Sequence, residues 1–111
     1  MAARSTPKRA TYEDIAALPK NYVGEIFFGV LHAHPRPALP HAEVASALGG
    51  EVRAPFHRGR GGPGGWIILD EPELHLGADP DVVVPDLTGW RRERMPFVPA
   101  TAFTTLPPDW V

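Results

Sequence analysis

The sequence predicts a mixed α/β domain of the α+β kind, a small mixed sheet flanked by helices. Three observations predict it. Val82-Val83-Val84 is a β-branched run that favours a buried strand, and Pro85-Asp86 ends it. Val44, Ala45, Leu48 and Val52 recur at helical spacing. The 14 prolines and 11 glycines in 111 residues mean short elements and long connections, with little room for a helical bundle.

Met1 to Ala10 is polar and basic and reads as a frayed arm, so the domain proper spans 11–111. Thr11 suits the N-cap of a helix from Tyr12 to Leu18, with Glu13 and Asp14 favourable in its first turn. Pro19 stops it. A hairpin follows, with strands near Tyr22 to Phe27 and Val30 to His34 turning at Phe28-Gly29. Pro35, Pro37 and Pro40 form a stiff connector. His41 to Arg53 reads as the second helix, closed off by Pro55, with Gly49 and Gly50 as points where it kinks or ends early.

His57 to Gly65 is a basic, glycine-rich loop. Trp66 to Asp70 is a strand. Leu74 and Leu76 alternate around His75, the pattern of an extension past Pro72. Asp79-Pro80 turns the chain into the valine strand. Arg91-Arg92-Glu93-Arg94 reads as exposed, and Met95 to Pro108 as irregular. Trp110-Val111 looks like the start of a further strand rather than a solvated tail, which implies an element beyond it.

Composition narrows the function classes. There is no cysteine, hence no disulfide framework and no thiolate metal site. Net charge is -2 and the pI is about 6.2, so nucleic-acid binding requires a local basic patch. No apolar run is long enough to span a bilayer and no signal-peptide core is evident, so a cytoplasmic protein is expected. The loop Gly59 to Gly65 lacks the Gly-Lys-Ser/Thr ending of a phosphate loop. Trp66 and Trp90 read as core anchors rather than base-stacking platforms.

Asp86 sits on the lip of an apolar strand, fixed in place and still reachable from solvent. His32-Ala33-His34 places two imidazoles on one strand face, a spacing that some zinc and iron sites use, with His75 or a carboxylate as third ligand. A surface strand with two unpaired histidines explains them more simply.

The order helix, hairpin, helix, basic loop, Trp66-Ile67-Ile68-Leu69-Asp70-Glu71-Pro72-Glu73-Leu74-His75-Leu76, then Val82-Val83-Val84-Pro85-Asp86-Leu87 resembles the Uma family of restriction endonucleases, within the PD-(D/E)XK nuclease superfamily. The segments that carry the likeness are Val23-Gly24-Glu25-Ile26 through Leu31, His41 opening the second helix, Val82 to Arg94, and Leu106 to Val111. The resemblance implies the N-terminal part of a restriction-endonuclease-like fold. It implies magnesium-dependent hydrolysis of DNA phosphodiesters, with Asp86 as a metal-binding carboxylate, Glu25 near the metal and His41 in a supporting role. Phe28 and Val30 depart from the family, which is acidic at both places. The family's second strand acid, in Glu-Val-Leu-Ser-Pro-Ser, and its lysine do not occur up to Val111.

Hydrolysis of this kind uses paired carboxylates to hold a hard cation and a lysine to stabilise developing charge. Asp86 and Glu25 alone are half of that equipment, so little or no nuclease activity is expected. Arg58 and Arg60, with Arg53, and Arg91 and Arg92, with Arg94, are candidate DNA-phosphate contacts. Two other readings stand beside this one. The first is a non-catalytic binding module whose open sheet edge invites a homodimer. The second is a small metal-binding protein built on His32 and His34.

Overall fold

The computed structural model describes residues 8–111. The arm expected over residues 1–10 falls mostly outside them, though Ala10 donates its N–H to Gly29 O at 2.8 Å. The fold is α+β. Its elements are α1 (Tyr12–Ala16), β1 (Tyr22–Phe27), β2 (Val30–Pro35), α2 (Leu39–Phe56), β3 (Trp66–Asp70), β4 (Leu74–Leu76), β5 (Asp81–Val83) and β6 (Leu87–Arg91).

The strands divide between two sheets. One runs in the order β2-β1-β5-β4, and the other is the pair β3-β6. Every ladder is antiparallel. A single parallel bridge joins Leu74 to Thr104. Leu74 and Leu76 therefore do not prolong β3. Past Asp70 the chain takes a positive φ of 47° at Glu71 and crosses to the other sheet.

The hairpin turns where the sequence predicts. Phe28 and Gly29 both have positive φ, 50° and 79°, as a two-residue turn with the hand of the strand twist requires. Glycine accepts that conformation freely, whereas phenylalanine is strained in it. Asp81 secures the turn by accepting the Phe28 N–H at 2.8 Å.

Helix α2 differs from expectation at both ends and around its circumference. Pro40 fits the first turn, where its missing N–H is no loss, so the helix starts at Leu39. Pro55 lies inside the last turn, one residue before the helix ends at Phe56, and Arg53 O accepts the His57 N–H beyond it. The helix runs straight through Gly49-Gly50. Gly49 is the helix's one buried residue, lying against Asp70, where an added Cβ would sit 3.1 Å from Oδ1. That close approach rolls the helix so that Ala45, Gly49 and Val52 face the sheet. Val44 and Leu48, predicted for the inner stripe, stay 67% and 52% exposed.

The valine strand is shorter than its sequence suggests. Pro85 cannot donate to a ladder, so pairing stops after Val83 and resumes at Leu87 in the other sheet. One side of the β3-β6 pair meets the core of Ile67, Leu74, Trp90 and Met95, with Leu69, Leu76, Val83 and Leu106 packed around it. Met95 anchors the irregular stretch that follows. Thr88, fully buried on β6, has a side-chain hydroxyl without a hydrogen-bond partner among the described residues, a local cost to stability.

Candidate functional site

The junction between β5 and β6 gathers the predicted acidic residues. Because β1 lies beside β5 with Ile26 opposite Val82, the Glu25 side chain reaches the place where the ladder fails. Its Oε2 accepts the Val84 N–H at 2.9 Å. Its Oε1 lies 3.7 Å from His34 Nε2. Two residues on, the Asp86 backbone carbonyl accepts the Glu71 N–H at 3.1 Å, tying the junction to the end of β3. The Asp86 carboxylate is left outside, 68% exposed, with His41 Nε2 at 3.3 Å from Oδ1. Glu25 thus reaches the junction at Val84 and His41 reaches it at Asp86, and among the described residues no hydrogen bond joins the two carboxylates.

These groups do not fit a magnesium ion. That cation takes octahedral oxygen coordination with near-ideal geometry. One Glu25 oxygen is held by a backbone amide and the other faces an imidazole, while Asp86 brings a single exposed carboxylate. Among the described residues no group of three or more histidine, aspartate or glutamate side chains is placed to hold a metal. The histidine alternative lacks its third ligand as well. His32 and His34 lie on β2 and His75 on β4, at opposite edges of the four-stranded sheet. His75 is buried, bonded through Nε2 to Glu73 at 2.9 Å and stacked on Phe103 at 3.8 Å. Glu73 also accepts from Tyr12, and that bond is the main cause of a raised Tyr12 pKa.

Arg91 and Arg92 lie at the other end of the β3-β6 ladder, whereas Arg53 and Arg58 lie beside Asp70. Arg91 pairs with Trp66 across the strands, and its guanidinium lies 4.8 Å from the centre of the Trp66 ring, within cation–π range. Arg92 binds the basic loop twice, through its N–H to Gly65 O and its Nη2 to His57 O, both at 3.0 Å. Burial holds the His57 pKa below its ordinary value, and the charges of Arg53, Arg92 and Arg58 lower it further. Three arginines that the sequence keeps in two runs, Arg53, Arg58 and Arg92, thus lie around His57. Arg53 and Arg58, with Gly49, Gly50, Ala54 and Asp70, line an open cavity of about 210 Å³. The Arg60 N–H is bonded to Ala54 O at 2.9 Å, which fixes the loop against the helix end. Arg94 drops out of the candidate set, because it forms an ion pair with Asp109 at 2.9 Å.

His57 and Asp109 escape a reading of the sequence. The Ile68 N–H donates to His57 Nδ1 at 2.9 Å, which requires an unprotonated Nδ1. Asp109 accepts the Arg91 N–H at 2.9 Å; that bond first, and Arg94 second, lower its pKa. Nothing in local pattern marks either residue, since each acts on a strand far along the chain.

His57 gives a pH prediction with a definite sign. Its folded pKa lies below the unfolded value of 6.5, so its contribution is whole above pH 6.5. It is lost as pH falls through the folded value, because the unfolded chain takes up the proton more readily. His57→Asn keeps an acceptor for Ile68 and removes the titration. Urea denaturation of both proteins from neutral to mildly acidic pH should give the wild type the steeper loss. Parallel profiles would remove His57 as the cause.

Among the described residues no helix is long and apolar enough to cross a membrane. Compared with protein-family models, with curated proteins and with solved structures, the chain has no match.

Proposed function

We propose that the chain is a restriction-endonuclease-like domain that grips a DNA backbone and, with these residues, does not cut it. The observation that carries the reading is the register of β3 on β6. It sets Trp66 with Arg91 at one end and Asp70 with Leu87, next to Asp86, at the other. Four residue steps separate the ends by about 13 Å, a reach of about four base pairs along a duplex. Arg91 and Arg92 at the Trp66 end, with Arg53 and Arg58 nearer Asp70, would hold phosphates by charge, and planar guanidinium groups suit that contact. The acidic junction then faces the same backbone without the ligands to polarise it. Family activity is magnesium-dependent DNA cleavage; here Glu25 spends its carboxylate on strand geometry, and Asp86 has only His41 beside it. The proposed setting is the cytoplasm.

Fluorescence anisotropy with a labelled duplex across a salt series tests the binding half. Affinity should fall linearly on a log–log plot, and Arg58→Ala or Arg91→Ala should each reduce the slope by about 1. Wild-type slopes in both variants would refute the patch. Incubation of a supercoiled plasmid with magnesium tests the other half, with no nicking expected. Cleavage that Asp86→Ala abolishes would restore a catalytic role to the junction.

A further inference from the structure

The outer edge of β2 is open along Leu31 and Ala33, with Lys8, Arg9 and Ala10 near its Val30 end. Among the described residues no strand pairs with it. The hairpin register fixes which backbone groups it presents. A two-residue turn makes Phe27 and Val30 a hydrogen-bonded pair, and the alternation continues through Glu25 with His32 and Val23 with His34. The N–H and C=O of Leu31 and Ala33 therefore point away from the sheet. Natural edges are blunted by charges, bulges or covering segments. From Val30 to His34 this edge has no Asp, Glu, Lys or Arg, and only Pro35 ends it. Along the same hairpin Tyr22, Phe27, Phe28 and Val30 are 39%, 40%, 84% and 56% exposed.

We propose that a second copy of this chain adds to the β2 edge, strand against antiparallel strand, about a two-fold axis at His32. In that register Leu31 of each copy faces Ala33 of the other. All four outward N–H groups then find carbonyl partners, and the two sheets join into one of eight strands. A two-fold requires a self-complementary patch, and an uncharged strand with alternating donor and acceptor pairs meets that requirement. The register also gives Phe28 a purpose. Its ring, held out in a strained conformation with φ 50°, comes to lie at the Pro35-Arg36 end of the facing strand, where it covers apolar surface and meets a cation. An unrelated extended peptide would satisfy the edge amides but has no reason to match both ends at once.

Sedimentation equilibrium of the full chain without DNA tests the proposal. The wild-type mass should rise with concentration from the 12.1 kDa protomer toward twice that value. Ala33→Pro removes one outward N–H and no bond within the hairpin, so it should stay monomeric with an unchanged circular dichroism spectrum. His32→Asp leaves every backbone donor in place and sets like charges face to face across the axis; it too should stay monomeric. His32→Asp decides the matter if Ala33→Pro does not fold. A wild type that remains at 12.1 kDa throughout, or a folded variant that associates as the wild type does, overturns the proposal.

Discussion

Trp90→Ala brings the domain to the edge of unfolding. Trp90 has no exposed surface. It lies opposite Ile67 on β3 and packs in the cluster with Leu74 and Met95. Its indole N–H donates to Leu106 O at 3.0 Å, which fastens the irregular C-terminal stretch to the sheet. Truncating a buried tryptophan to alanine costs about 3–5 kcal/mol through lost burial and the cavity left behind. A domain of this size has about 5–15 kcal/mol in all. Urea denaturation followed by far-ultraviolet circular dichroism should show the midpoint collapse. Trp90→Phe retains most of the ring area and loses the indole bond, so it should fall between the wild type and Trp90→Ala. A loss below about 1 kcal/mol in Trp90→Ala would mean that this cluster is not the one that holds the two sheets together.

Local signals in the sequence locate the elements well and their partners poorly. Trp66–Asp70 and Tyr22–Phe27 appear where apolar and β-branched patterning places them, because strand formation follows from neighbouring residues. The face of α2 is misjudged for a spatial reason. Counting apolar residues favours Val44 and Leu48, but Gly49 lets the helix approach Asp70 so closely that an added Cβ would sit 3.1 Å from its carboxylate, and that face turns inward. The valine run reads as a strand that Pro85-Asp86 ends, and nothing local shows that Leu87–Arg91 starts another. The division between two sheets depends on β1 and β3, which lie far away in the chain.

The candidate site divides along the same line. Asp86 is legible as an acid at a strand lip, and it is exposed as expected. Its contact with His41 spans 45 residues, and the Glu25 bond to Val84 spans 59. The sequence nominates these residues without fixing how each carboxylate is used, and that use decides the chemistry. The arginines show the opposite outcome. Two separate runs of positive charge look like ordinary solvated surface, yet the fold sets Arg53, Arg58 and Arg92 around His57 and Arg91 over Trp66, while Arg94 is lost to Asp109. A patch assembled by the fold has no sequence signature of its own.

Gly89→Val should expel Trp110 from the sheet and destabilise the fold by about 1–3 kcal/mol, the usual cost of overpacking. Trp110, read as the start of a strand, forms an isolated bridge to Gly89. Gly89 donates to Trp110 O at 2.8 Å and accepts from Trp110 N–H at 3.1 Å, forming an antiparallel bridge on the free side of β6. The absence of a side chain at 89 makes this possible. A Cβ there would stand 3.0 Å from Ile68 Cδ1, 3.2 Å from Trp66 Cε3 and 3.4 Å from Trp110 Cε3. All three neighbours also line the apolar groove of about 210 Å³ between α2 and this sheet, which leaves room for one of them to move. Trp66 is pinned from the far side by Arg91 and Ile68 is buried, which leaves Trp110, 41% exposed, as the ring that gives way. Release of Trp110 also loosens Asp109 from the Arg91 N–H and so frees Arg94. The variant should therefore show red-shifted tryptophan emission, a lower urea midpoint and a DNA-binding salt slope increased by about 1, from the newly available arginine. Unchanged emission together with an unchanged midpoint would mean that the Gly89–Trp110 pairing does not hold this end of the chain in place.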